Sequence, residues 1–191
     1  MVVKAEQLAI TGTMSEPNCT QLISLFNSLF LASHNTVLQL GDDEPIYLPA
    51  DKNEPHNRVI FAHGFFASAL HEIAHWCVAG EERRKLEDFG YWYKPDGRTE
   101  DEQTLFEKVE IAPQALEWIM AQACGLRFNF SADNLSGGIG ASDSFKGNVH
   151  KRVLHLLEHG LPDRHKQLVE AMLTEFNQPA LNPDQFSLAG R

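Results

Sequence analysis

The spacing of apolar residues along the chain predicts a series of amphipathic helices. From position 19 to position 32, apolar residues recur at intervals of three and four: Leu22, Ile23, Leu25, Phe26, Leu29 and Phe30. Gly80, Gly125 and Gly160 stand where helices are expected to end. The pattern predicts helices at 19–32, 65–79, 101–123, 149–159 and 163–177, with Pro113 either kinking the third or opening a new one.

Short runs of β-branched and aromatic residues predict strands between the first helices. These runs lie at 37–40, 59–62 and 89–93, whereas Pro45 and Pro49 restrict regular pairing of the apolar residues between them. The serine-, glycine- and asparagine-rich stretch 131–148 predicts a loop. Residues 1–18 show little amphipathic pattern and are interpreted as an N-terminal arm or an added strand.

Length and composition favour a single domain over residues 19–191. A chain of 191 residues with 43% hydrophobic residues can bury one substantial core, but it is short for two. We therefore expect an α/β (α+β) fold in which a small sheet packs with several helices in a single compact domain.

The charge balance excludes some classes of partner. Asp and Glu number 26 against 16 Lys and Arg, which disfavours nucleic acid and anionic membranes and favours a cationic substrate. No apolar run approaches the roughly 20 residues that span a bilayer, and a secretory leader is not evident, so we expect a soluble, cytoplasmic protein. Cys19, Cys77 and Cys124 have no paired spacing, and we expect reduced thiols.

The segment 71–75 carries the strongest chemical signal. His71 and His75 lie four positions apart on a predicted helix, so their imidazoles can meet at one divalent metal ion. Glu72 lies beside them, close enough to reach a water bound to that ion, and is the candidate catalytic residue. An imidazole pair suits Zn, Fe, Cu or Ni, so the pair fixes the location of a metal but not its identity.

Two imidazoles rarely complete a metal site, and a carboxylate is the usual third ligand. Glu110 and Glu107 both lie about 35 residues later in a predicted helix, and we take Glu110 as the ligand with Glu107 as the alternative. Glu117, two turns beyond Glu110, could share its face.

Other histidines have simpler explanations. His155 and His159 share the four-residue spacing, but they precede Gly160 and suit a helix C-terminus. His63 lies where a strand turns into the helix of the histidine pair, and it could line the cleft or orient a ligand.

Beyond the five-residue motif, a set of further segments carries a wider resemblance. These segments are 41–50, 61–65, 69–72, 75–76, 88–93, 95–98, 109–110 and 113–116, together with Trp118. Through them the chain resembles the elongation factor P hydroxylase family of bacteria. The resemblance covers most of residues 20–190, while the N-terminal arm and the glycine-rich loop near 137–140 depart from the family pattern.

The resemblance implies a metallopeptidase-like fold that performs hydroxylation. The family acts on the lysine of elongation factor P that already carries a β-lysyl extension, as the last step of that modification. By position the metal ligands would be His71, His75 and Glu110. Two histidines and one carboxylate leave open positions on an octahedral ion, which suits Fe(II), although Zn or another transition metal could occupy the same ligands.

The sequence says less about which residues bind the substrate. Asp42, Asp43 and Glu44 could attract a cationic lysyl side chain, and the aromatic residues at 91–93 could line the cleft. β-Lysylated elongation factor P is the expected partner of a monomeric enzyme, with no direct contact to nucleic acid or membrane. The competing interpretations are a zinc metallopeptidase, in which Glu72 deprotonates a zinc-bound water, and a binding protein with a structural metal.

Overall fold

The computed structural model describes residues 17–90, 97–132 and 140–189. Its first element is a helix whose N-terminus is capped by neighbouring side chains. Helix α1 (Cys19–His34) begins with a capping box, in which the side chain of Asn18 accepts from Gln21 N and the side chain of Gln21 accepts from Asn18 N. The residues at intervals of four, Leu22, Phe26 and Phe30, are fully buried. The amphipathic helix predicted from position 19 is confirmed.

Three strands form a small mixed sheet in the order β1-β3-β2. Strand β1 (Thr36–Leu40) pairs in parallel with β3 (Asn57–Phe61), and β2 (Ile46–Leu48) pairs with β3 in antiparallel register. The prolines at 45 and 49 flank β2 without entering it, so three residues still pair regularly. Because β1 and β3 are parallel neighbours, the loops that follow them leave the same edge of the sheet.

Helix α2 (Phe66–Val78) follows β3 and has one apolar, buried side and one more polar, partly exposed side. Trp76 is fully buried and packs edge-on against the ring of Phe26, with centroids 5.1 Å apart. Burying a side chain of this kind contributes about 2–3 kcal/mol. The apolar side thus fixes α2 against α1, and His71 and His75 remain on the partly exposed side.

Helix α3 (Glu100–Ala123) is the long central helix, and it packs against α2, α4 and α5. The side chain of Thr99 accepts from Glu102 N at its start, and Gly125 follows its end with a positive φ of 72°. Pro113 lies inside the helix, which continues through it to Ala123. Of the two alternatives predicted for this proline, the opening of a second helix is therefore wrong.

Helix α4 (Asp143–His159) begins six residues before the predicted start, so the loop predicted to extend to 148 is wrong there. Ser142 Oγ accepts from Phe145 N and caps the first turn. Phe145 and Val149 are buried one turn apart and form the apolar side of the first turns of α4. In the sequence, the polar residues between them make this apolar side hard to recognise. The cap and the burial of these two residues outweigh the low helix propensity of Gly147 and Asn148.

Helix α5 (Asp163–Glu175) is tied to the end of α2 by one guanidinium group. Arg164 Nη2 donates to the backbone oxygens of Cys77 (2.9 Å) and Ala79 (3.0 Å). The same group lies over the ring of Trp76, 4.8 Å from its centroid. A cation at the C-terminal end of α2 suits the unpaired carbonyls there.

The strand predicted at 89–93 is wrong in its first two residues, and the rest of it lies outside the described residues. Glu87–Gly90 forms a short 3₁₀ turn in which Asp88 (φ 46°) and Phe89 (φ 58°) adopt left-handed conformations. Phe89 is buried against the ring of Tyr47, with centroids 4.2 Å apart. The predicted arm is outside the described part as far as residue 16, as is the glycine-rich loop at 137–139.

The overall class agrees with the prediction. Five α-helices surround a three-stranded sheet in a mixed α+β arrangement with one continuous core in the described part of the chain. Cys19, Cys77 and Cys124 are free thiols, as predicted. Among the residues that the structure describes, no helix combines the length and apolarity needed to cross a bilayer.

Candidate metal centre

The imidazoles of His71 and His75 meet on one side of α2. Their Nε2 atoms lie 3.1 Å apart, and the ring centroids are 4.7 Å apart. Two nitrogens bound to one ion at about 2.1 Å would be about 3.0–3.4 Å apart for ligand angles between octahedral and tetrahedral. The observed separation fits that range. The convergence predicted from the four-residue spacing is present.

Glu110 brings a carboxylate from α3 to the same point. Its Oε1 lies 3.1 Å from His75 Nε2, and its Oε2 lies 3.8 Å from His71 Nε2. Glu110 is fully buried, and its Oε1 has no hydrogen-bond partner in the structure. An ionised oxygen without a partner is costly to bury. A cation between the three side chains would satisfy it, so the donor set fits a metal ion.

These three side chains form the only group of three or more metal-ligating residues within the described ranges. Their ligand atoms all lie within 4.8 Å of one another. His155 and His159, the other pair with four-residue spacing, have stacked rings 4.2 Å apart at the end of α4. His159 Nδ1 lies 3.0 Å from the backbone oxygen of His155, as suits a helix terminus.

Glu117 fixes the orientation of His71 from the other side of the ring. Its Oε2 lies 2.8 Å from His71 Nδ1. A carboxylate there accepts a hydrogen bond from Nδ1–H, which directs Nε2 at the site as the nitrogen that would bind a metal in place of its proton. The sequence alone suggested only that Glu117 could share the face of Glu110.

Gln114 holds Glu110 in the same way. Its Nε2 donates to Glu110 Oε2 (3.3 Å) and to the backbone oxygen of Ser131 (2.8 Å), while its Oε1 accepts from Ser131 N (3.2 Å). Gln114 is fully buried, so these bonds hold its amide in one orientation. Sequence reasoning missed this residue, although positions 110, 114 and 117 follow the i, i+4, i+7 spacing of one helix face.

The electrostatic field of the site favours positive charge. Burial disfavours the imidazolium of His71, but the charge and hydrogen bond of Glu117, aided by Glu110 and Glu72, outweigh burial and raise the pKa of His71 to about 10. Burial alone would raise the pKa of Glu110. The nearby charges of His75 and His71, the close contact with His75 and the hydrogen bond from Gln114 instead lower this pKa to about 2. The same carboxylates would attract a divalent cation.

Glu72 borders the centre without joining the ligand group. Burial raises the pKa of its carboxyl, the charges of His71 and His75 oppose that shift, and the charges of Asp88 and Glu110 add to it. The raised pKa favours the protonated carboxyl more than in a free glutamate.

Glu107, the alternative third ligand, is engaged elsewhere. Its Oε1 accepts from Ser142 N (2.9 Å) and its Oε2 from Ser142 Oγ (2.6 Å). It therefore ties α3 to the start of α4 and is not one of the three converging ligands. One helical turn separates it from Glu110 in sequence, and packing of α3 between α2 and α4 decides which glutamate faces which neighbour.

The remaining candidates lie around the N-terminal end of α2. His63 is exposed at the corner after β3, with a left-handed φ of 54°, and its backbone N donates to Asp42 O (3.3 Å). Asp42, Asp43 and Glu44 are exposed in the loop after β1. None of these four side chains joins the ligand group, and the aromatic residues at 91–93 lie outside the described residues.

Comparison with known proteins gives consistent results. A family model described as Elongation factor P hydroxylase matches residues 25–186. A protein of Haemophilus influenzae named Elongation factor P lysine hydroxylase is 54% identical over 162 residues, which cover 85% of this chain and 91% of that relative. The matched range includes both histidines, Glu110 and Glu117.

Proposed function

The chain belongs to the elongation factor P hydroxylase family, and on that basis we propose that it hydroxylates the β-lysylated lysine of elongation factor P. The observation that carries the proposal is the convergence of His71, His75 and Glu110 in a chain more than half identical to a named lysine hydroxylase. It is an enzyme of the oxidoreductase class, and its substrate is a protein side chain.

We further propose that His71, His75 and Glu110 hold Fe(II). Two imidazoles and one carboxylate on one side of an ion leave further positions open, and this ligand set is typical of non-haem iron oxygenases. When bound, the ion supplies the redox chemistry by which dioxygen is activated. The unpartnered oxygen of Glu110 supports a cation at this point.

The protein's own residues orient the ligands and handle protons. Glu117 keeps the proton of His71 on Nδ1, and Gln114 holds the carboxylate of Glu110 toward the histidines. Glu72, with its raised pKa, moves or holds a proton at its carboxyl oxygen beside the reacting centre. Rigid support of this kind reduces the reorganisation needed during reaction.

A zinc peptidase is the second candidate, because the two histidines and the adjacent glutamate on one helix also suit that chemistry. There Glu72 would deprotonate a water for attack on a peptide carbonyl. Membership of a hydroxylase family favours the first function. The two make opposite predictions about metal and product.

The deciding experiment is anaerobic purification followed by metal analysis and incubation with β-lysylated elongation factor P in air. We expect bound iron and a gain of one oxygen atom on the modified lysine by mass spectrometry. His71→Ala and His75→Ala should abolish both, whereas His155→Ala is a matched control and should abolish neither. Peptide cleavage with bound zinc and no oxygen gain would establish the peptidase instead.

We also propose that the enzyme acts in the cytoplasm, because its proposed substrate is a translation factor, and that it acts as a monomer. Its net charge of −10 supports a partner that presents a cationic side chain more than it supports nucleic acid.

A further inference from the structure

An exposed apolar surface lies at the corner where β3 turns into α2. Phe65 has 64% of its surface exposed and Leu40, the last residue of β1, has 53%. A Cβ placed on Gly64 would lie 3.8 Å from Leu40 Cδ1, so the leucine lies directly against the corner. Exposed apolar side chains that lie together mark a contact with a partner more often than single ones do.

The backbone holds this corner in an unusual conformation. His63 (φ 54°) and Gly64 (φ 70°) are both left-handed, which costs about 1 kcal/mol or more at the histidine. Three hydrogen bonds keep the corner in place, from His63 N to Asp42 O, from Phe65 N to Ala62 O and from Cys19 Sγ to Gly64 O. The exposed position of Phe65 is therefore built into the fold.

Acidic residues border the apolar pair. Asp42, Asp43 and Glu44 follow Leu40 by two to four positions and are all exposed. Within the described ranges none of the three takes part in a salt bridge. We call Leu40, Asp42, Asp43, Glu44 and Phe65 the corner surface.

The corner surface lies beside the metal centre. Phe65 is the residue that caps α2, seven positions before Glu72. Seven residues make almost two helical turns, so Phe65 and Glu72 lie on the same side of the helix about 10 Å apart along its axis. A protein resting on Phe65 would therefore lie about a side chain's length from Glu72, which borders the ligand group.

We propose that the corner surface is the docking site for the protein substrate around its target lysine. The proposal rests on the proposed function, because it takes the occupant to be elongation factor P. The apolar pair provides the area that is buried, and the unpaired acidic residues complement the positive charge of the lysine side chain.

The test separates docking from chemistry. For the double variant Phe65→Ala, Leu40→Ala we expect KM for intact elongation factor P to rise about tenfold or more while kcat changes by less than about twofold. Iron content and thermal unfolding should match the wild type. Asp42→Lys, Asp43→Lys should slow association and reduce its dependence on salt.

Matched controls come from the same chain. Leu31 is 38% exposed and lies near the C-terminal end of α1, away from Cys19 at its start. Leu31→Ala should leave KM unchanged. Glu175→Lys, an exposed charge change at the end of α5, should do the same. Calorimetric measurement of Kd for elongation factor P gives a second reading that does not depend on turnover.

The outcomes distinguish the two proposals. Oxygen gain by the wild type with unchanged KM and Kd in both corner variants would overturn docking and leave the function standing. If the wild type binds elongation factor P but adds no oxygen, the proposed hydroxylation is wrong. The Kd values of the variants would still show whether elongation factor P docks on the corner surface. A wild-type dimer that Phe65→Ala, Leu40→Ala dissociates would assign the surface to a second copy and overturn the proposal.

Discussion

Glu117 and His71 form the shortest contact of the candidate metal centre, 2.8 Å between Oε2 and Nδ1. Because an ionised carboxylate can only accept a hydrogen bond, Nδ1 keeps its proton, and Nε2 is the nitrogen that would exchange its proton for a metal. The carboxylate comes from α3, so the contact also fastens the ligand helix α2 to its neighbour.

Glu117→Gln should weaken metal binding without unfolding the protein. An amide can donate or accept at this position, so it no longer fixes the tautomer, and we expect an affinity loss of about 10- to 100-fold. Competition with a chelator of known affinity measures it. Unchanged affinity in a folded variant would show that His71 does not need this partner.

Glu107→Ala should give the complementary result. Loss of its two hydrogen bonds to Ser142 removes support for the start of α4, and we expect the free energy of unfolding to fall by about 1–2 kcal/mol. For a chain of this size that lowers Tm by about 2–8 °C. Metal affinity should remain that of the wild type, and its loss would make Glu107 part of the site.

Gln114→Met should affect both metal affinity and the backbone at Ser131. Methionine has a similar size but cannot accept from Ser131 N or donate to Glu110 Oε2. We expect weaker metal binding and faster amide hydrogen exchange at Ser131 than in the wild type. Exchange at Ser131 that matches the wild type would contradict the bond from Gln114.

Glu72→Gln should retain the metal and lower turnover. The amide preserves the size of the side chain but cannot take up or release a proton. Metal content and hydroxylation rate, measured on the same preparation, separate the two effects. Loss of the metal from this variant would instead make Glu72 a ligand.

The stability of the metal-free protein should depend on pH through His71. Its pKa is raised from 6.5 to about 10 in the folded state, so its pairing with Glu117 stabilises the fold fully below about 6.5 and is lost as pH rises toward 10. The pKa of Glu110 is lowered to about 2, so its contribution is present above about 4.5 and is lost as pH falls toward 2.

Urea unfolding in the presence of a chelator, from pH 6 to pH 10, measures the alkaline part of this dependence. The wild type should lose stability steadily across that range, and His71→Phe should lose much less. An equal loss in both proteins would place the responsible group elsewhere. Bound metal should reduce the slope, because it replaces the proton on the imidazole pair.

The fold class and the convergence of the two histidines were predictable from the sequence, whereas the bounds of several elements were not. The spacing of His71 and His75 depends only on helix geometry, so their convergence was predictable. The choice between Glu110 and Glu107 was not, because it depends on how α3 lies between α2 and α4. Gln114 was missed because nothing local distinguishes a glutamine that binds a ligand residue from one on a helix surface.

Errors in the predicted elements have similar causes. The aromatic composition at 89–93 is typical of a strand, but Asp88 and Phe89 turn left-handed because the ring of Phe89 packs on Tyr47. The start of α4 was placed too late because its first turn is polar, and its capping serine is recognisable only once Phe145 is known to be buried.

The bond from Arg164 to the end of α2 has a consequence for protein synthesis. The first ligand is 93 positions before Arg164, so part of the support for the helix that carries both histidines comes from a residue made near the end of translation. A nascent chain that has emerged as far as Glu110 contains all three converging side chains yet lacks Glu117, α4 and α5. We therefore expect tight metal binding only after these later parts of the chain have been made.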